Sequence, residues 1–305
     1  MCMGARAHLP PQDRTATTLG AGREVIATEG VSPADRAAKA AFLPMFGFAK
    51  FVGPELSHFC SSNARLTDSM LWSGGALSVS SSFSGIGGPE VALRYVEAAG
   101  AQGHIPAVRF SLERCFEHST NCQKILGSNF EPRHLHSDLL GLLPPCSRAA
   151  VAEIERTTEL PYNKWQEVIM KSDLLPKAHC LIHPCSLCPL DSTDIEVAYP
   201  VCVDYSKRNR SRLGTNGPHS KSLLTWAKMT RAVQPRLIFN ENSNQFDEDI
   251  LPTLLGDMYH IERFEVSPHS VGHTSLNRPR AYAIMIHKCK SEVVGDVRQV
   301  WKAPT

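Results

Sequence analysis

From Leu77 onward the chain alternates short apolar runs with amphipathic stretches, as strands and helices do in turn. Ala76 to Phe83 reads as a strand with small residues on one face, running into the turn Ser84-Gly85-Ile86-Gly87-Gly88. Pro89 suits the first turn of a helix, which Glu90 to Ala99 continues and Gly100 ends. A strand over Ala107 to Leu112, a helix from about Phe116 to Leu126 and a short segment over Leu135 to Leu140 follow. After an interruption, strands are predicted over Ile195 to Ala198, Arg236 to Asn240, Ile261 to Val266 and Ala281 to Ile286. Helices are predicted over Ser222 to Val233 and about Glu248 to Leu255. This alternation predicts an α/β fold, a mainly parallel sheet with helices on both faces.

The stretches outside this rhythm differ in composition. Residues 1–70 read as a leader, rich in Gly, Pro, Thr and charge and partly disordered, with a short helix within Ala34 to Lys50. The α/β domain is expected over 71–290, with an insertion at about 146–190, and 291–305 as a tail. The insertion holds a helix-like piece, Arg148 to Arg156, and a cluster of cysteines and histidines. Hydrophobic residues make up 42% and charged residues 20% of the 305, which suits a globular protein. No apolar run approaches the roughly 20 residues that span a bilayer, so no membrane partner is expected. The first residues hold no apolar signal core, which argues against secretion. Ten cysteines in such a chain are expected as reduced thiols, metal ligands or catalytic groups. The expected location is intracellular, and nuclear in a eukaryote. A formal net charge of +2 neither demands nor forbids nucleic acid, and the most basic stretch is Lys207 to Arg212.

Chemistry enters at the glycine turn. Between a strand and a helix, Phe83-Ser84-Gly85-Ile86-Gly87-Gly88 lets a ligand approach the backbone, although a tight turn without a ligand suits it equally. Glu113, placed at the end of the second predicted strand, sits where a carboxylate accepts from ribose hydroxyls. Asp138 is placed to reach an adenine edge, or equally to cap a helix. The glycine spacing is not G-x-G-x-x-G, which argues against a nicotinamide enzyme.

Further motifs follow in order. Cys202-Val203-Asp204-Tyr205-Ser206 comes after one predicted strand, Glu241-Asn242-Ser243 after another, and Arg278-Pro279-Arg280 before a third. Taken together with the glycine turn, they resemble the cytosine-5 DNA methyltransferase family over about residues 77–287. The resemblance implies a Rossmann-like methyltransferase fold. It also implies S-adenosylmethionine held by Phe83, Gly85, Ile86, Gly87, Gly88, Glu113 and Asp138. DNA, in preference to RNA, is the expected partner.

In that reading Cys202 is the nucleophile that adds to carbon 6 of cytosine and activates carbon 5 for methylation. Glu241 holds the base at N3 and its exocyclic amine, while Arg278 and Arg280 steady the base oxygen and backbone phosphates. The loop from Lys207 to Lys221 is expected to close over a flipped-out base. Taken alone, Cys202 reads as a buried cysteine at a strand end; the ordered motifs favour the catalytic role. The family's proline directly precedes its cysteine, whereas here Val201 does and Pro200 stands one place earlier. Tyr199 replaces a small residue, Ser243 a valine, and Leu276-Asn277 stand where a glutamine is usual. No target-recognition segment follows the last motif, so recognition is expected from a partner or another domain. The alternative is a weak or inactive methyltransferase-fold module that binds cofactor or nucleic acid.

Within the insertion, His179-Cys180-Leu181-Ile182-His183-Pro184-Cys185-Ser186-Leu187-Cys188 offers a candidate structural zinc site. The expected ligands are Cys180, His183, Cys185 and Cys188, with Cys146 as a further cysteine to draw on. The other reading is an insertion with packed or exposed thiols.

Overall fold

The computed structural model describes residues 76–102, 107–206, 209–267 and 278–291. The leader, the helix expected within 34–50, Lys207, Arg208, Gly272, Leu276, Asn277 and nearly all of the expected tail lie outside the described residues.

Seven strands form one sheet. In chain order these are β1 (Leu77–Ser82), β2 (Phe110–Phe116), β3 (His134–His136), β6 (Ile195–Ala198), β7 (Leu237–Ser243), β8 (Tyr259–Val266) and β9 (Arg280–His287). A separate antiparallel hairpin pairs β4 (Lys177–His179) with β5 (Leu187–Pro189). The sheet order is β3-β2-β1-β6-β7-β9-β8, and only β9 runs against the others. The mainly parallel α/β fold expected from the alternation is therefore present.

Winding outward from β1 through β2 to β3 proceeds by α1 (Gly88–Ala101) and α2 (Thr120–Phe130). The chain then returns to lay β6 on the other side of β1, passing through α3 (Pro145–Thr157), α4 (Tyr162–Lys171) and the hairpin. It continues through α5 (Ser220–Val233) to β7 and through α6 (Ile250–Leu255) to β8. The direction of winding thus reverses between β1 and β6. In open α/β sheets a crevice opens there, outside the carboxyl ends of the strands.

Both faces of the sheet are covered. Cys115 packs with Leu126 of α2 and Leu135, whereas its neighbour Phe116 joins the larger core formed with α3 to α6. Successive strand residues point to opposite faces, so these two clusters lie on opposite sides. The larger core holds Val151, Trp165, Ile169, Trp226, Met229, Ile238 and Tyr259, all buried. Helices of the insertion are therefore built into the main core.

The centre of the sheet is polar, and serine makes this workable. On one face Ser80 of β1 lies opposite Arg114 of β2 and opposite Glu196 of β6. Its short side chain leaves room for the two charged groups to approach above it, at 3.9 Å. Ser80 and Ser82 donate to the Glu196 carboxylate, as does Trp226 Nε1 at 3.2 Å. On the other face Ser81 donates to Glu90 of α1. Buried polar groups need such partners, and here they come from five different elements.

Several elements differ from expectation: β7 runs on to Ser243, and the hairpin β4–β5 adds two strands that the sequence pattern does not predict. β2 begins and ends later than its predicted span, running through Glu113 and Arg114, because Arg114 finds its counter-charge in the interior. The helix after it is shifted accordingly. α4 was not predicted, yet Trp165 and Ile169, one turn apart, give it a buried face.

Candidate functional site

The loop after β1 begins with strain. Phe83 adopts φ 59°, a left-handed conformation that costs energy for a residue with a side chain. Gly85 and Gly87 follow with φ of 57° and 96°. At Gly87 a Cβ would also run into the Phe130 ring, so this position requires glycine on two counts. Gly87 leads into α1 without a side-chain cap, and Pro89 stands in the first turn. Unpaired N–H groups at such a helix start favour a ligand's anionic or acceptor atoms. Ile86 stands exposed at the tip of the loop and Gly88 opens the helix.

A carboxylate holds this loop, but from a position other than Glu113. Glu117, directly after β2, accepts from the Gly85 N–H and from the Ser119 N–H, each at 2.7 Å. Glu113 does not end β2. It sits inside the strand at a register shift, without a partner on β1, and pairs with Arg133 at 3.2 Å. Asp138 follows β3 and accepts from the Leu140 N–H at 2.9 Å, capping the short 3-10 turn Leu139–Leu142. Its other carboxylate oxygen lies 4.0 Å from His118 Nδ1.

Across the reversal point, β6 ends at Ala198 and the chain passes through Tyr199, Pro200 and Val201 to Cys202. The start of this segment is fixed from both sides. Tyr199 N–H donates to Ser82 of β1 at 3.1 Å, and Asn242 of β7 donates to the Pro200 carbonyl at 3.4 Å. Cys202 is half-buried and begins a turn in which its carbonyl accepts from Tyr205 N–H at 3.1 Å. Asp204, buried, accepts from His219 N–H and lies against Gly217, so it anchors the following loop at its far end.

The sequence places Glu241 just after its predicted strand. It lies within β7 and makes an ion pair with Arg280, Nε to Oε1 at 2.8 Å. The geometry explains the meeting. β9 runs antiparallel to β7, so its first residues fall at the carboxyl end of β7, with Arg280 opposite Ser243 and Tyr282 opposite Glu241. Arg278 is exposed just ahead of β9. Burial raises the Glu241 carboxyl above its ordinary pKa, and Arg280 and Arg278 offset this only in part. Burial likewise raises the Tyr199 phenol, with Tyr282, Glu241 and Glu90 adding to the shift. Tyr199 thus shares its surroundings with both the Glu241–Arg280 pair and the first turn of α1.

The structure therefore places the glycine loop, the Tyr199–Cys202 segment and the Glu241–Arg280 pair at the carboxyl ends of the neighbouring strands β1, β6 and β7. Glu117 is a contributor that the sequence does not single out, because the predicted β2 ends before it. Tyr199 and Asn242 stand within the motif segments, and the structure gives them their bonds to Ser82 and Pro200. A shallow depression of about 420 Å³ lies elsewhere, lined by Ser78, Thr193, Asp194, Arg236 and Lys290, and shares no residue with these motifs.

Of the four expected metal ligands, Cys180, His183 and Cys188 come together, and their fourth neighbour is His134 of β3. Cys185 is exposed and outside this group, as is Cys146. Among the described residues no helix is long and apolar enough to cross a membrane.

No protein-family model and no curated protein matches the chain. Several solved structures are similar to it. The Schizosaccharomyces pombe Dnmt2 methyltransferase is 14% identical, with a TM-score of 0.40 over 72% of this chain and 52% of that one. The Entamoeba histolytica methyltransferase EhMeth is 20% identical, with a TM-score of 0.41 over 72% and 56%. A putative DNA modification methyltransferase of an Escherichia coli prophage is 18% identical, with a TM-score of 0.39 over 72% and 49%. The chain spans about half the length of these structures. Its resemblance to the cytosine-5 methyltransferase family rests on its own ordered motifs and on where the sheet brings them.

Proposed function

We propose that the chain transfers a methyl group from S-adenosylmethionine to carbon 5 of cytosine in DNA, with Cys202 as the nucleophile. The observation that carries this reading is the convergence of the glycine loop, the Cys202 segment and the Glu241–Arg280 pair at the reversal point of the sheet. The glycine loop fits the cofactor. Gly85 and Gly87 bare the backbone, the start of α1 offers N–H groups, and Glu117 stands beside the loop as a hydrogen-bond acceptor. Phe83, Ile86, Gly88 and Asp138 complete the surroundings in this reading, with Glu117 in the role first expected of Glu113. S-adenosylmethionine supplies an electrophilic methyl group when bound.

The chain's own residues do the rest. The Cys202 sulfur, as thiolate, bonds to carbon 6 of the base, and the displaced electron pair makes carbon 5 nucleophilic. Glu241 suits proton donation at N3, because burial favours its neutral form. Once the proton has moved, Arg280 and Arg278 stabilise the carboxylate left behind. After methylation N3 returns its proton to Glu241, the proton on carbon 5 passes to solvent, the ring double bond re-forms and the thiolate departs.

One observation favours a second reading, a cofactor- or nucleic-acid-binding module without turnover. Val201 precedes Cys202 where the family has proline, and it is exposed. A trapping assay separates the two. With S-adenosylmethionine and an oligodeoxynucleotide carrying 5-fluorocytosine, the methylated adduct cannot lose fluorine and stays attached to the protein. The expected result is a denaturant-resistant adduct, lost in Cys202→Ala while calorimetric cofactor binding persists. Cofactor binding with no adduct on DNA or on an RNA counterpart would establish the second reading, absence of cofactor binding would refute the first, and absence of both cofactor and nucleic-acid binding would refute both.

A further inference from the structure

The cluster on the edge of the sheet goes beyond methyl transfer and stands on separate observations. His134 opens β3, the edge strand. Cys180 directly follows β4, His183 lies in the hairpin turn, and Cys188 sits in β5 opposite Ala178. One ligand atom from each lies within 4.8 Å of the others. The Cys180 sulfur is 3.4 Å from His183 Nδ1 and 3.9 Å from His134 Nδ1, and the Cys188 sulfur is 3.5 Å from His183 Nδ1.

Hydrogen bonding alone does not account for this grouping. A ring nitrogen offers a single in-plane site, either a proton or a lone pair, yet His183 Nδ1 is equally near both sulfurs. A cation at the centre satisfies all four groups together. With zinc–sulfur bonds of about 2.3 Å and zinc–nitrogen bonds of about 2.0–2.1 Å, a tetrahedron has sulfur–nitrogen edges of about 3.5 Å. The two sulfur–nitrogen separations to His183, 3.4 and 3.5 Å, match that figure, and the one to His134 is longer at 3.9 Å.

Burial points the same way. Cys180 and Cys188 are 2% and 6% exposed, whereas their apolar neighbours Leu181, Ile182 and Leu187 are 48%, 41% and 52% exposed. Apolar packing would turn the leucines and isoleucine inward. Here the sulfurs turn inward and belong to neither hydrophobic core. The hairpin strands are three residues each, too short to be stable alone. Two hydrogen bonds join the segment to β3: Leu181 N–H to the Leu135 carbonyl, and His136 Nδ1 with the His179 carbonyl, each at 2.7 Å.

We propose that His134, Cys180, His183 and Cys188 form a structural zinc site that fastens the hairpin of the insertion to β3 and covers that exposed strand edge. Four protein ligands leave no open position, so the ion is structural rather than catalytic. Two thiols release their protons to solvent as the ion binds. The fastening also steadies the cofactor edge, since the His136 carbonyl accepts from Glu117 N–H at 3.1 Å.

The test uses the full chain, expressed with added zinc and purified under reducing conditions. Wild type and Cys185→Ser are expected to retain one equivalent of zinc by mass spectrometry. Replacement with Co(II) should give intense tetrahedral bands and sulfur-to-metal charge transfer. His134→Ala should bind Co(II) weaker by about 100-fold or more, since losing even a group that merely orients a ligand costs about 10–100-fold. Should His134→Ala not fold, the Co(II) spectrum of wild type and the fall in its melting temperature with chelator decide the matter. Folded wild type without zinc, an octahedral Co(II) spectrum, a Cys180–Cys188 disulfide, or zinc lost in Cys185→Ser but kept in His134→Ala would overturn the site. These outcomes are read from metal content, Co(II) spectra and melting temperature, and so are scored separately from cofactor binding and base trapping.

Discussion

Glu90 shows how much a single side chain is asked to carry in this fold. It lies in the first turn of α1, buried against β1, where Ser81 donates to one carboxyl oxygen and the other oxygen has no partner. Burial raises its pKa above the ordinary value of 4.5, more than the bonds from Ser81 and Cys115 lower it. Between the unfolded and the raised folded pKa, the native protein binds more protons than the unfolded chain, so stability falls as pH rises through that interval. Glu90→Gln removes the ionisation. Relative to wild type, the variant should gain about 1–3 kcal/mol on going from below pH 4.5 to neutral pH, the scale of an uncompensated buried polar group. Urea denaturation at a series of pH values measures the difference, and a pH-independent difference would sink the argument. Residues of this kind were only partly legible. The glycines announce their turn, because φ near 57° and 96° suits little else. Glu113 and Glu117, however, differ in role only through where β2 stops, and His134 lies too far along the chain from Cys180 to be grouped with it by spacing.

At the scale of elements, legibility followed burial. The predicted bounds of β6 are the observed ones, because Ile195, Val197 and Ala198 are apolar around the single charge of Glu196, and the strand lies between β1 and β7. β2 was misplaced, because Glu113 and Arg114 break an apolar pattern and only a carboxylate from another strand makes Arg114 an interior residue. The hairpin β4–β5 has no alternation to read at all. α5 shows the dependence between elements most directly: it supplies Trp226, fully buried, whose Nε1–H reaches Glu196 at 3.2 Å. Trp226→Phe keeps an aromatic ring and removes that donor, so it should cost about 1–3 kcal/mol. In a Glu196→Gln background the penalty should shrink, since the acceptor no longer carries charge. Equal penalties in the two backgrounds, measured as a double-mutant cycle, would show that the bond contributes nothing.

Considered whole, the described part of the molecule has its larger core shared between the sheet and the stretch that interrupts it. Trp165 of α4 is buried and donates to the Val151 carbonyl of α3 at 3.1 Å, while Lys228 of α5 reaches the Met170 carbonyl at 2.7 Å. Lys221 of α5 also pairs with Glu155 at 2.6 Å. Trp165→Ala should therefore cost about 3–5 kcal/mol and lower a single cooperative transition. Fluorescence and circular dichroism should follow the same curve; two separated transitions would mean that α3 and α4 fold on their own. None of this was visible as periodicity, because the contacts run between segments that the alternation treats as separate.

The backward course of β9 has a consequence for how such a protein can diversify. Held between β7 and β8, the strand is in register on both sides, and a slip of the whole strand by one residue would send every side chain to the opposite face and carry the guanidinium of Arg280 away from its carboxylate. Changes of length are thus expected to be borne by the loops and resisted within this strand.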